Sequence, residues 1–346
     1  MLMNPIVSAI TSGVEEGVFP GAVLLATKGR KRIFEAAGWA CLLPRRIRMT
    51  KETIFDLSSL TKPVATTYAI MCLNRDGRLD LRDRLKKFFK VPDDKAAITI
   101  QHLLSHSSGL PAWRPYYRKY QGDDIVERIL RERLIYSPGL RSIYSDLGFI
   151  LLGRIIEEAS GRSLDRFCEE AVFTPLGMHD TSFHPLKQRC AATELCPWRK
   201  RIIIGEVHDE NAWAMGRPAG HAGLFSTAPD LLRFSKEIMR CYSGKDGLIP
   251  KKIVCQFLKR QPIPGSTWAL GWDTPTPGKS TSGKFFSRQS VGHLGFTGTS
   301  LWIDLSRKII ILLLTNRIHP SRKNEGIRRF RPMIHDLVMK RLMDKA

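Results

Sequence analysis

The residues of this 346-residue chain best suited to chemistry are Ser59 and Lys62, in the segment FDLSSLTK. On a helix, a spacing of three places both side chains on one face, about 5–6 Å apart at Cβ. A serine hydroxyl is a weak nucleophile until a neighbour takes its proton. A lysine shielded from water can take that proton or stabilise the charge left behind. The same pair also describes an N-cap serine followed by a solvated lysine, so it carries little weight alone. Two further segments add to it. IYSDLGFILLG sets Tyr144 and Asp146 just ahead of a helical stretch, and SVGHLGFTGTSLWID sets His293, Leu294 and Gly295 in a glycine-rich strand.

Other polar clusters are less pointed. His208 in EVHDEN and His221 in AGHAGLF, with Asp209 and Glu210, suggest a metal site by residue type, but their spacing matches no strong metal motif. A structural or substrate-loop role is expected for them. His102 and His106 stand four apart in TIQHLLSH without the glutamate of a His-Glu-x-x-His pair, which points to a helix-end role. No metal or organic cofactor is expected.

Taken together, FPGAVLLATKG, FDLSSLTK, ITIQHLLSHSSGLP, YSDLGF, GHAGLFSTAPDLLRF and GHLGFTGTSLWID resemble the class C β-lactamase family. Its relatives are the D-alanyl-D-alanine peptidases, D-aminopeptidases and family VIII esterases. The motifs stand in the family's order and span nearly the whole chain. The resemblance implies that Ser59 is acylated, that Lys62 is the motif lysine and that Tyr144 is the general base. It also implies that the backbone N–H groups of Phe296 and Ser59 form an oxyanion hole, with Gly295 admitting the substrate backbone and Thr297 and Gly298 continuing the strand along the acyl pocket.

Two positions depart from the commoner pattern. Asp146 stands where many members have asparagine; an ionised carboxylate only accepts hydrogen bonds, so it is expected to hold Lys62 protonated and leave proton transfer to Tyr144. That role for Tyr144 requires Lys62 to depress the phenol from its usual pKa of about 10. His293 replaces a permanently charged lysine, and its reference pKa near 6.5 makes any charge on it conditional on pH. This argues against an efficient β-lactamase.

These residues need a scaffold. Ile6, Ile10 and Val14 recur every fourth position over 4–16, as on an amphipathic helix, and GAVLLATKG and KRIFEAAGWA form a hairpin around Gly29 and Arg30. TIFDLS is a third short strand, and a helix runs from Ser59 to the Asp76-Gly77 stop. From there to about residue 200 the signal is helical, in TIQHLLSH, DDIVERILRERL, LGFILLGRIIEEAS and LDRFCEEAV, and strand signal nearly vanishes. SVGHLGFTG, SLWIDLS and KIIILLLTN restore it before a last helix of about twenty residues from Asn324. The expected fold class is α+β, an α/β sandwich of the β-lactamase/transpeptidase type in which helices flank an antiparallel sheet. Residues 1–62 and 201–346 would form the sheet domain and 63–200 a mostly helical insertion, with the site in the cleft between them.

Composition sets outer bounds. The chain is 43% hydrophobic and 25% charged, ordinary for a globular enzyme. Its formal charge of +22 is scattered and accompanies no nucleic-acid module, so a solvated basic surface is expected rather than nucleic-acid binding. Seven cysteines without a Cys-x-x-Cys pair suggest reduced thiols, and the N-terminal segment lacks the features of a secretory signal. The longest intensely apolar run, 309–314, is too short to cross a membrane, so no membrane partner and a cytoplasmic location are expected. The functional expectation is a serine hydrolase acting through an acyl-enzyme on small esters or amides, leaning to esters, with weak β-lactam turnover. A D-amino-acid peptidase or muropeptide amidase, and a catalytically silent binding protein of the same fold, stay open as alternatives. Oligomeric state is not legible.

Overall fold

The computed structural model describes residues 4–278 and 280–344. Ten strands occur among them: β1 (Gly21–Lys28), β2 (Lys31–Cys41), β3 (Ile47–Arg48), β4 (Phe55–Asp56), β5 (Ala192–Cys196), β6 (Arg201–Ile204), β7 (Phe225–Ser226), β8 (Ser290–Leu294), β9 (Ser300–Asp304) and β10 (Ile309–Thr315). The main sheet has the order β3-β2-β1-β10-β9-β8 and pairs antiparallel throughout. The α+β class with an antiparallel sheet and flanking helices is what the sequence predicts.

The central strands explain their own composition. Because side chains alternate across a strand, one covered on both faces must be apolar at every position. Val23 and Leu25 of β1, with Ile310, Leu312 and Leu314 of β10, join the larger core cluster. Ala22, Leu24 and Ala26, with Ile309, Ile311 and Leu313, join the other. That second layer is closed by the terminal helices Pro5–Glu15, through Ile6 and Ile10, and Ile327–Met343, through Phe330, Ile334 and Val338. Each such leucine or isoleucine, wholly removed from water, contributes about 1.5–3 kcal/mol.

Several local expectations are corrected. The end of the segment expected to be strand-poor holds β5, which pairs with β6 just beyond residue 200 in a hairpin. The TIFDLS strand shrinks to β4, which pairs with β7 outside the main sheet. The single helix expected from Ser59 is three pieces: a 3₁₀ turn over Ser58–Leu60, a π-helical stretch over Lys62–Thr67 and an α-helix over Tyr68–Arg75. Pro63 supplies the physical reason, since it has no N–H to donate and its ring crowds the preceding turn. Wide π turns of this kind recur at functional sites. Among the described residues, no helix is long and apolar enough to cross a membrane.

Candidate active site

Ser59 is the middle residue of the turn Ser58–Leu60 that follows β4. The preceding residue, Ser58, has φ +49°, a left-handed conformation unusual for a residue with a side chain. Its N–H is held by Asp56 Oδ1 at 2.8 Å. This sharp turn presents Ser59 to the cleft.

Lys62 is wholly buried and has three partners: Ser59 Oγ at 3.0 Å, the His221 carbonyl at 3.0 Å and Asp146 Oδ1 at 2.7 Å. The first two are hydrogen bonds and the third is an ion pair. Close backbone packing brings the His221 carbonyl this near. Gly220 lies against the helix Asp146–Ser160, where a β-carbon would come within 2.2 Å of the Phe149 carbonyl. Burial lowers the pKa of Lys62, while Asp146 opposes that and pulls it up.

Tyr144 donates its hydroxyl to Ser59 Oγ at 2.7 Å. The depressed phenol expected from the sequence is not found. Burial, and after it the negative Asp146, hold Tyr144 well above the ordinary tyrosine range. Asp146 offsets the lysine charge that was to stabilise a phenolate, so Tyr144 is a protonated hydroxyl in the resting site. Asp146 is the first residue of its helix, and the N-cap is Ser145, whose Oγ accepts from Gly148 N at 3.4 Å. Asp146 is therefore free to pair with Lys62.

His293 is buried on β8, and its Nδ1 lies 2.8 Å from the Leu294 carbonyl. Facing a carbonyl, Nδ1 must carry the proton. Burial, reinforced by Lys62, brings its pKa down to about 3, so the ring is neutral across pH 5.5–8. The conditional charge expected from the sequence is thereby replaced by a neutral imidazole. His293, Tyr144 and Trp268 line a cavity with Ser59, Gly295 and Phe296.

β8 ends at Leu294, and residues 295–299 turn into β9 rather than continuing the strand. Thr297 and Gly298 do not line an acyl pocket: Thr297 is buried with its hydroxyl on the Asp56 carbonyl at 2.8 Å, and Gly298 sits at φ +115°. Thr299 donates to the Leu57 carbonyl at 3.1 Å. These two hydroxyls tie the turn to the segment that carries Ser59. The Phe296 N–H donates to Ser58 Oγ at 3.2 Å.

The remaining candidates form the support. His221 Nε2 lies 2.9 Å from Asp209 Oδ1; burial presses Asp209 upward, but His221, the Ala212 N–H and His208 together hold the carboxyl below its usual range. His208 Nε2 meets Glu194 Oε2 at 3.0 Å, and Arg322 bridges Glu194 and Glu210. Glu194 is likewise pushed up by burial, yet His208 and Arg322 bring it down to about 2. His102 closes a capping box with Thr99 at the start of Ile100–Leu104. His106 follows the end of that helix at φ +56° and is buried against Tyr144 and Trp268, with ring centroids 4.7 and 4.4 Å away. Sequence reasoning missed Trp268, Ser58, Arg317 and Arg331 as parts of this neighbourhood.

A serine–lysine–tyrosine group beside an antiparallel sheet, its lysine wholly buried, defines the class of penicillin-recognising serine hydrolases. The chain belongs to the Beta-lactamase family, whose profile matches residues 6–331. A provisionally named D-alanyl-D-alanine carboxypeptidase of Salmonella typhi is 34% identical, covering 89% of this chain and 81% of the relative. Its counterpart in Escherichia coli strain K12 is 33% identical, covering 90% and 81%. Among solved structures, EstCE1, a hydrolase with promiscuous acyltransferase activity, superposes with a TM-score of 0.76 at 23% identity, covering 96% of this chain and 97% of its own. The octameric penicillin-binding protein homologue of Pyrococcus abyssi gives 0.77 at 21% identity, covering 98% and 78%. The chain is a serine hydrolase.

Proposed function

We propose that this chain cleaves small esters or amides through an acyl-Ser59 intermediate. The carrying observation is the convergence on Ser59 Oγ of Tyr144 Oη at 2.7 Å and Lys62 Nζ at 3.0 Å. Lys62, in its neutral form, takes the Ser59 proton as Oγ attacks the carbonyl carbon, and the resulting ammonium is compensated by Asp146. Tyr144, kept protonated, passes its proton to the leaving group and is reprotonated from Lys62. The carbonyl oxygen displaces Ser58 Oγ from the Phe296 N–H and takes the Ser59 N–H as its second donor. Water then enters, and the same groups reverse their roles to release the acid.

The neutral His293 favours substrates without a carboxylate at that position, hence the preference for esters. The relatives named as D-alanyl-D-alanine carboxypeptidases support a second reading, a peptidase for D-alanyl peptides. One preparation tested on a short-chain p-nitrophenyl ester, a D-alanyl-D-alanine peptide and a chromogenic cephalosporin separates them. The ester is expected to turn over fastest and the cephalosporin slowest. Dominant release of D-alanine would establish the second reading, and rapid cephalosporin turnover would reject both. A fluorophosphonate is expected to add its mass to the peptide containing Ser59; a folded protein left unlabelled would count against any acyl-serine chemistry.

Asp146 gives a pH prediction. Its charge raises both Lys62 and Tyr144, so Asp146→Asn lowers both. The base then becomes available at lower pH. The rising limb of kcat/KM against pH is expected to move to the acid side, each unit of displacement being about tenfold in active fraction at a fixed lower pH. A limb that stays put or moves to the alkaline side would show that Asp146 does not tune the base.

A further inference from the structure

Arg317 and Arg331 are buried around the turn 295–299 and line the cavity that holds Ser59. All six of their hydrogen bonds go to backbone carbonyls. Arg331 Nη2 donates to the Gly295 carbonyl at 2.8 Å and the Thr299 carbonyl at 3.1 Å. Arg317 donates through Nε and Nη2 to the Phe296 carbonyl at 2.9 and 2.7 Å, with its guanidinium 4.6 Å from the centre of the Phe296 ring. The arrangement is costly. Burial, and after it the neighbouring Arg317, bring Arg331 down to about 9, still cationic at neutral pH. Burying two mutually repelling charges costs stability, so their retention here calls for a role besides packing.

We propose that Arg331 and Arg317 are positioning residues of the oxyanion hole, clamping and polarising the peptide units on either side of Phe296. The Gly295 carbonyl and the Phe296 N–H belong to one planar peptide group. A guanidinium fixed on that oxygen restrains the direction of the N–H and withdraws electron density from it. Hydrogen bonds in such a chain strengthen one another by about 10–30% each. Arg317 holds the next carbonyl, so the peptide cannot tilt as Ser58 Oγ is exchanged for the substrate oxygen. Two positive charges close behind the donor also favour the developing oxyanion over the neutral carbonyl, which is where stabilisation accelerates the reaction.

The proposal rests on Ser59 being the nucleophile and Phe296 N–H an oxyanion donor. Its test compares an ester with its thiono analogue, whose C=S sulfur accepts hydrogen bonds poorly, in the wild type, Arg331→Met, Arg331→Lys and Arg317→Lys. For Arg331→Met, kcat on the oxo-ester is expected to fall about 10- to 100-fold with KM little changed. Its oxo-to-thiono rate ratio should fall by a similar factor. Affinity for a boronic acid that forms a tetrahedral Ser59 adduct should fall in parallel. Arg331→Lys, keeping the charge and one donor, should recover most of the loss. Thermal melts establish folding, and if the methionine variant is unfolded, Arg331→Gln, which removes the charge and keeps a polar side chain, carries the test through the same ratio; Arg317→Lys, which loses one of the two bonds to the Phe296 carbonyl, is expected to lower that ratio by a smaller factor. A folded charge-removing variant at Arg331 with an unchanged oxo-to-thiono ratio would overturn the clamp. Turnover that survives Ser59→Ala would instead overturn the nucleophile assignment.

Discussion

Replacing Lys62 by methionine is expected to lower kcat/KM by roughly 10⁴-fold, the scale seen when one member of a catalytic unit is removed from a serine hydrolase. Methionine is similar in length and apolar, so the buried space stays filled. What disappears is the proton acceptor 3.0 Å from Ser59 Oγ and the cation 2.7 Å from Asp146. Breaking a buried pair costs about 3–5 kcal/mol, and because the Asp146 side chain keeps 19% of its surface exposed, the lower part of that range applies. Loss of activity and loss of stability can be separated. The double variant Lys62→Met, Asp146→Leu removes the orphaned carboxylate and should regain stability in urea titrations without regaining turnover. A single variant that is folded and within tenfold of wild-type activity would mean that Lys62 is structural and that another group takes the proton.

That a lysine so placed could be found from sequence, while Arg331 could not, follows from where each residue's partners lie. Ser59 and Lys62 are three residues apart, so local periodicity brings them together. Tyr144 and His293 are distant, but each stands at a recognisable junction, a helix start or a glycine-rich strand end. Arg331 meets its carbonyl partners 36 and 32 residues away, across the terminal helix and the β8–β9 turn. In the sequence RRFRP it looks like one more surface cation. One signal was available: Ile327, Arg331, Ile334 and Val338 follow the spacing of a single helical face, and all four are buried, whereas Arg328 and Arg329 face water. An arginine within an apolar stripe deserves separation from a scattered charge of +22.

The electrostatic errors have a common origin. The sequence expectation for Tyr144 rests on a reference pKa and the charge of Lys62, and that for His293 on a reference pKa alone. Burial is the first cause for both, and its extent depends on tertiary packing, of Tyr144 against His106 and Trp268 and of His293 against Trp268. The fold class was easier to read, because apolar strands with polar breaks survive without tertiary detail. The π turn at Pro63 and the two-residue β4 did not, since each departs from regular periodicity over only a few residues.

Gly295→Ala is expected to lower kcat by about 10²–10³-fold, the loss that follows removal of one oxyanion donor. A β-carbon at this position would lie 2.0 Å from Thr299 Oγ1 and 2.5 Å from the Leu57 carbonyl. Neither can yield alone, because the Thr299 hydroxyl donates to that same carbonyl at 3.1 Å. Relief requires the turn to move away from the segment bearing Ser59, and the Phe296 N–H moves with it. A displacement near 1 Å can cost about 10²-fold in rate, while substrate contacts elsewhere in the cleft persist. The variant should therefore lose kcat far more than KM. Its oxo-to-thiono ratio should fall as well, linking it to the arginine clamp on the same peptide. Turnover within threefold of the wild type in a folded Gly295→Ala protein would remove Phe296 N–H from the oxyanion hole and leave the stabilising role to Ser59 N–H and a side chain, of which the nearby Ser58 hydroxyl is the first to test.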